Sequence, residues 1–296
     1  MPAPATQIRT QVEPRLEEVQ CISPLGLHRF AYAEWGDPKN PRVLVCAHGL
    51  TRSGRDFDPL ARALCDEYRV VCPDVVGRGR SDWFANASHY HVPQYVADSV
   101  TLLARLDAEV VDWVGTSMGG LIGMGLASLK GSPIRKLVLN DIGPVLLRAA
   151  VARIADYVGK LQHFATFDDG VTYVRTVAAT FGTHTDEEWR MLAGNVLVPD
   201  GSGFKLHYDP GIAMLFRTLV DNTPVHQNIV SWNEYDRVTC PTLAIRGETS
   251  DLLSPEVHMQ MATRGPRATL ATVRGVGHAP SLIAEDQIAL VRDFLL

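Results

Sequence analysis

The chain has 296 residues, 46% of them hydrophobic and 21% charged, with a formal net charge of -5 at pH 7. That length can bury a large core, and that balance is ordinary for a soluble globular protein. The small negative charge gives no footprint for nucleic acid or an anionic membrane, and no apolar run reaches transmembrane length.

Residues 1–15 read as a flexible tail; the first ten are polar and rich in Ala and Pro, without the apolar core of a signal peptide. Residues 16–22 and 28–35 read as strands joined by a turn at Pro24-Leu25-Gly26. After a break at Asp37-Pro38-Lys39-Asn40-Pro41, strands and helices alternate. Strands are expected at 43–47, 70–72, 110–114 and 134–139, with helices at 57–64, 92–106 and from Gly119 onward. From about 144 to 235 the pattern turns helical, with pieces at 148–161, 171–181 and 187–196. The alternation then returns, with strands at 242–246 and 268–273 and helices at 255–263 and 282–296. The fold class is therefore α/β, a mostly parallel sheet covered by helices on both faces. Residues 16–143 and 236–296 form the core, and 144–235 are a helical insertion between two strands. The five cysteines, an odd number, read as buried thiols in a reducing compartment. The cytoplasm is the expected location.

The segment Gly115-Thr116-Ser117-Met118-Gly119-Gly120 follows an apolar run and precedes a small-residue stretch. Strand, tight turn and helix are the setting in which a serine hydroxyl is lifted to the top of a sheet as a nucleophile. Serine needs a base, and the base an orienting acid. His278, in Gly277-His278-Ala279-Pro280 after the last strand, is the expected base. Asp251, after the strand at 242–246, is the expected acid, since Leu252 and Leu253 would half-bury it. Glu248 is its neighbouring competitor. Asp141, at the end of the strand after the nucleophile helix, is a third candidate and reads first as a cap or loop anchor. The oxyanion donors are expected to be the backbone amides of Met118 and of Leu50, which follows His48-Gly49. His48 itself is expected to hold that loop by hydrogen bonds.

Other motifs carry less. Asp74 to Ser81 lacks the endings of a phosphate loop and reads as a structural turn. His89-Tyr90-His91 has no third ligand at a metal spacing and reads as a surface loop. Arg52, Arg55, Arg78 and Arg80 read as solvated or salt-bridged arginines. Phe181, Trp189, Phe216 and Trp232 could line a pocket, but at helical spacing they suit the core of the insertion.

Taken together, His48-Gly49, Asp74 with Gly77-Arg78-Gly79-Arg80-Ser81, the Ser117 elbow, Gly247 with Asp251, and Gly277-His278 resemble the α/β-hydrolase superfamily over residues 16–296. The resemblance implies an eight-stranded sheet, and it makes 144–235 the helical cap this superfamily places between its sixth and seventh strands. In many members the acid falls three residues after the strand-end glycine. Asp251 falls four after Gly247, which keeps Glu248 and Asp141 open. Haloalkane dehalogenases and epoxide hydrolases of this type use an aspartate where Ser117 stands. Carbon–carbon bond hydrolases keep the serine, yet usually carry a longer glycine-rich loop after His-Gly and a tryptophan where Ala279 follows His278. The expected function is a serine hydrolase of small or medium carboxylic esters, working through an acyl-enzyme without cofactor or metal. The alternatives are a carbon–carbon bond hydrolase and a non-catalytic ligand-binding protein.

Overall fold

Short apolar runs bounded by turns satisfy their backbone only by pairing side by side, and runs buried on both faces belong in the middle of a sheet. The computed structural model, which describes residues 13–160 and 162–296, builds that sheet from eight strands. They are β1 (Arg15–Ser23), β2 (Gly26–Trp35), β3 (Val43–Ala47), β4 (Arg69–Pro73), β5 (Val111–Thr116), β6 (Ile134–Asn140), β7 (Thr242–Gly247) and β8 (Thr269–Val273). Their order is β1-β2-β4-β3-β5-β6-β7-β8. β2 pairs antiparallel with β1 and β4, and every other pairing is parallel. Most of the expected tail, residues 1–12, lies outside the described residues, as does Leu161 at the expected end of a helix.

Side chains two apart share a face of a strand. In β3, Val43, Val45 and Ala47 enter the core beneath α2 (Val92–Arg105) and α3 (Met118–Ala127), with Leu102, Ile122 and Leu126 from those helices. Leu44 and Cys46 enter the core on the other face, against Leu60 and Leu64 of α1 (Asp58–Leu64). The sheet is thus the middle of three layers. No described helix is long and apolar enough to cross a membrane.

Between β6 and β7 no described residue joins the main sheet. This segment holds α4 (Arg148–Tyr157), α5 (Phe167–Val177), α6 (Asp186–Gly194), α7 (Ala213–Asn222) and the single turn α8 (Trp232–Tyr235). α5 and α6 start at capping boxes, Thr166 with Asp169 and Thr185 with Glu188, which satisfy otherwise unpaired amides reciprocally. The segment also forms two small antiparallel sheets: His163–Phe164, Leu197–Asp200 and Gly203–Leu206, and Val145–Leu146 with Ile229–Val230. The remaining helices are α9 (Pro255–Met261) and α10 (Glu285–Leu295).

Candidate active site

Parallel strands all point the same way, so the loops after β3, β5, β6, β7 and β8 emerge at one edge, the usual place for a site in an α/β sheet. At the end of β5 the chain turns sharply into α3. Ser117 sits between them with φ +51° and ψ −114°, a sparsely populated conformation costing about 1–3 kcal/mol. The turn is anchored by Ser117 N–H donating to Asn140 C=O at 3.0 Å, and by the Gly120 and Leu121 amides donating to Ser117 C=O. It admits no side chains at its flanks. A β-carbon on Gly119 would stand 1.9 Å from Ala47 O, and one on Gly115 would stand 2.3 Å from Gly119 O.

His278, on the loop after β8, places Nε2 2.9 Å from Ser117 Oγ. Its Nδ1 lies 2.7 Å from Oδ2 of Asp141. Asp141 is the first residue after β6, and β5 and β6 are in register with Thr116 opposite Asn140. Ser117 and Asp141 therefore leave neighbouring strands at the same level. Asp141 has φ +53°, a left-handed conformation that Asp tolerates better than most residues. Its carboxylate is fully buried. It also accepts from the Gly247 amide (Oδ1, 2.8 Å) and from Ser250 Oγ (Oδ2, 2.6 Å). A carboxylate accepting several hydrogen bonds while out of water is held rigidly.

This arrangement corrects the expectation placed on Asp251. Its side chain is 51% exposed and pairs with Arg153 of α4 at 2.8 Å, while the His278 ring is paired with Asp141. Leu252 and Leu253 are buried, but the carboxylate of the residue just before them is exposed. Ser250, three residues after Gly247, is the side chain that turns in. Glu248 accepts from the Gly275 amide at 2.8 Å and so shapes the loop leading to His278 without touching its ring. Asp141, read first as a cap or loop anchor, holds the Gly247 and Ser250 loop and also meets the His278 ring.

The loop after β3 lies over the serine. A β-carbon at Gly49 would be 3.9 Å from Ser117 Cβ, in ordinary contact. Met118 opens α3, so its amide has no intrahelical acceptor. Both Leu50 and Met118 line the cavity above Ser117. His48 is buried beneath, with Nδ1 2.6 Å from Gly49 O and Nε2 accepting from the Val75 amide at 2.9 Å. These partners fix a neutral tautomer, and burial pushes its pKa down to about 4. At neutral pH His48 is an uncharged prop for the loop.

Arg78 is a residue the sequence reading misplaced. It is wholly buried. Nε donates to Leu50 C=O at 2.7 Å, and the two terminal nitrogens donate to Val76 C=O, Tyr95 Oη and Met118 Sδ. One guanidinium thus grips both residues expected to supply oxyanion donors. The rings of Tyr90 and Tyr95 lie 5.8 and 5.3 Å from its central carbon, an arrangement favourable to a cation. Arg52 and Arg55 pair with Asp56 and Asp58 as expected.

The insertion roofs the site. Thr180 Oγ1 donates to His278 C=O at 2.6 Å, and the Gly277 amide donates to Thr180 C=O at 2.7 Å. The cavity between roof and sheet edge has a volume of about 470 Å³. Phe181 and Phe216 line it, whereas Trp189 packs in a small apolar core of the insertion with Ala178 and Leu192.

A family model described as "Alpha/beta hydrolase family" matches residues 44–293. The chain is 55% identical over 285 residues to a 3-hydroxybutyrate-oligomer hydrolase of Cupriavidus necator, covering 95% of this chain and 97% of that protein. It is 27% identical over 251 residues to an esterase of Escherichia coli K12, covering 81% and 87%. Its fold matches the crystal structure of an alpha/beta hydrolase from Novosphingobium aromaticivorans with a TM-score of 0.85, at 33% identity over 97% of this chain and 99% of that one.

Proposed function

The chain belongs to the alpha/beta hydrolase family, and from that premise we propose that it is a serine esterase cleaving short oligoesters of the 3-hydroxybutyrate kind. The observation that carries the mechanism is the continuous path from Ser117 Oγ through the His278 ring to buried Asp141. Ser117 Oγ attacks the ester carbonyl carbon while His278 Nε2 takes the hydroxyl proton. Asp141 accepts from Nδ1–H, holds the ring in that tautomer and stabilises the imidazolium. The Leu50 and Met118 amides receive the oxyanion. His278 then gives its proton to the leaving alkoxide oxygen, the ester C–O bond breaks, and an acyl group remains on Ser117. A water deprotonated by His278 attacks that acyl carbon, releasing the acid and restoring the serine.

The substrate class is supported by the Cupriavidus necator relative and by the character of the cavity. Leu121, Ile154, Phe181, Leu192 and Phe216 give it apolar walls suited to methyl-branched acyl units. The test is to incubate the enzyme with 3-hydroxybutyrate dimer, trimer and p-nitrophenyl laurate and follow the products by chromatography. The dimer or trimer is expected to show a kcat/KM about tenfold or more above the laurate ester. Turnover of nitrophenyl esters with intact dimer and trimer would overturn the substrate class. No turnover of any ester would overturn the esterase reading.

Arg78 is read as a positioning residue for the oxyanion donors. Arg78→Met is expected to lower kcat by on the order of 10–100-fold, somewhat less than loss of a donor itself, with KM nearly unchanged. Arg78→Lys, which keeps the charge without the fork, should recover part of kcat. A parallel change in kcat and KM, or a loss proportional to unfolded protein, would reduce Arg78 to a packing role.

A further inference from the structure

The edge hairpin carries a second cluster of reactive side chains, three strands away from the nucleophile strand β5 in the sheet order. Cys21 of β1 and His28 of β2 are direct cross-strand partners, so both side chains leave the same face. They meet Asp98 of α2. Ligand atoms of the three residues lie within 4.8 Å of one another, and Cys21, His28 and Asp98 are 1%, 5% and 0% exposed.

The Cys21 thiol donates to the Asp98 backbone C=O at 3.7 Å, but the rest of the cluster is poorly satisfied by the described residues. His28 Nε2 lies 3.1 Å from Asp98 Oδ1, yet neither ring nitrogen makes a hydrogen bond with acceptable geometry, and Asp98 Oδ2 is also unpartnered. A buried polar atom without a partner is costly, and three together at one point call for an occupant. Asp98 Oδ1 accepts from Gln94 Nε2 at 2.8 Å, and the same amide donates to Ile22 C=O at 2.9 Å. The carboxylate is thus oriented from behind, as ligating carboxylates usually are. The Phe84 ring closes the site edge-on to His28, with centroids 4.9 Å apart.

We propose that Cys21, His28 and Asp98 bind a thiophilic divalent cation, Zn²⁺ by donor type, which staples the β1–β2 hairpin to α2. A thiolate, an imidazole and a carboxylate form a donor set that tetrahedral zinc accepts, with a fourth, exogenous ligand completing the shell. The observed separation of His28 Nε2 and Asp98 Oδ1 approximates the edge of a tetrahedron with bonds of about 2.0–2.1 Å. Metal binding takes the Cys21 thiolate and releases its proton to solvent. The ion would be structural, because none of its ligands lines the catalytic cavity.

The site is closed, so loading is best done by refolding the full chain from denaturant with Co²⁺ or Zn²⁺, followed by dialysis. Wild type should retain about one Co²⁺ per chain, with the thiolate-to-cobalt charge-transfer band and the intense visible bands of a tetrahedral centre. Cys21→Ser, nearly isosteric, should lose the charge-transfer band while still folding. Zn²⁺-refolded wild type should melt several degrees above protein refolded with chelator, and the variant should show no such difference. Equal metal content and spectra in wild type and Cys21→Ser would overturn the proposal, as would wild type that refolds to full esterase activity and retains no metal.

Discussion

Asp141→Asn is expected to lower kcat for ester hydrolysis by on the order of 10⁴-fold, while Asp251→Asn leaves it within about twofold. The contrast follows from where the two carboxylates lie. Asp141 is fully buried 2.7 Å from His278 Nδ1. Asparagine there presents either an amide NH₂, which cannot accept the Nδ1 proton, or an uncharged oxygen, which stabilises the imidazolium poorly. The carbonyl would also be drawn to the Gly247 amide and Ser250 Oγ, the donors Asp141 now satisfies. The wrong tautomer then puts a proton on Nε2, where the serine hydroxyl must be accepted. Asp251 and Arg153 are each 51% exposed, and such a surface pair contributes at most about 1 kcal/mol to stability. Steady-state kinetics on both variants, with circular dichroism to confirm folding, checks this. A large loss in Asp251→Asn with Asp141→Asn near wild type would reverse the assignment.

Ser117→Ala is expected to reduce kcat by on the order of 10⁶-fold and to leave the fold and substrate affinity intact. The Ser117 side chain makes one described hydrogen bond, to His278. The turn is held instead by the backbone bonds to Asn140, Gly120 and Leu121, which alanine keeps. Alanine at φ +51° carries strain similar to that of serine, so little stability is lost. Thermal melting should therefore be nearly superimposable on wild type. A dimer of 3-hydroxybutyrate should still bind, measurable by calorimetry with no heat of hydrolysis. Turnover in Ser117→Ala within about tenfold of wild type would mean that water is activated without an acyl-enzyme.

All eight main strands were legible from the sequence, because a run such as Val43–Ala47, apolar at every position, has few other fates. The elbow was legible because its glycines answer to steric contacts of about van der Waals radius or less, which no other residue relieves. The acid was not. Its identity depends on which side chain of the β7 loop turns inward, and that is decided by the path of three or four backbone torsions that pattern does not encode. One signal was available: Asp141 follows β6 as directly as Ser117 follows β5, and strand ends in register, Thr116 opposite Asn140, put them side by side. Arg78 was misread because a basic residue in a glycine-rich turn suggests solvent. Its burial depends on Tyr90 and Tyr95 arriving from the next segment.

Inside the insertion, the helix expected at 171–181 begins four residues earlier, at Phe167. Its start signal was Thr166 with Asp169, a box that outweighs the helix-weakening Gly170 between it and the apolar stripe. The hairpin Leu197–Asp200 with Gly203–Leu206 was announced only by Asp200-Gly201, and α7 by a short apolar run. Pieces this small are stabilised by packing on one another more than by local propensity. The same holds for the cavity walls: Phe181 and Phe216 face Ser117 while Trp189 does not, a distinction set by how the helices roll together.

Ser117 as the nucleophile can be checked by treating the enzyme with diethyl p-nitrophenyl phosphate and locating the adduct by intact and peptide mass spectrometry. About one diethylphosphoryl group per chain is expected, on Ser117, with activity lost in proportion and no adduct in Ser117→Ala. Stoichiometric labelling at another residue with the loss of activity, or full activity in a chain labelled at Ser117, would contradict it.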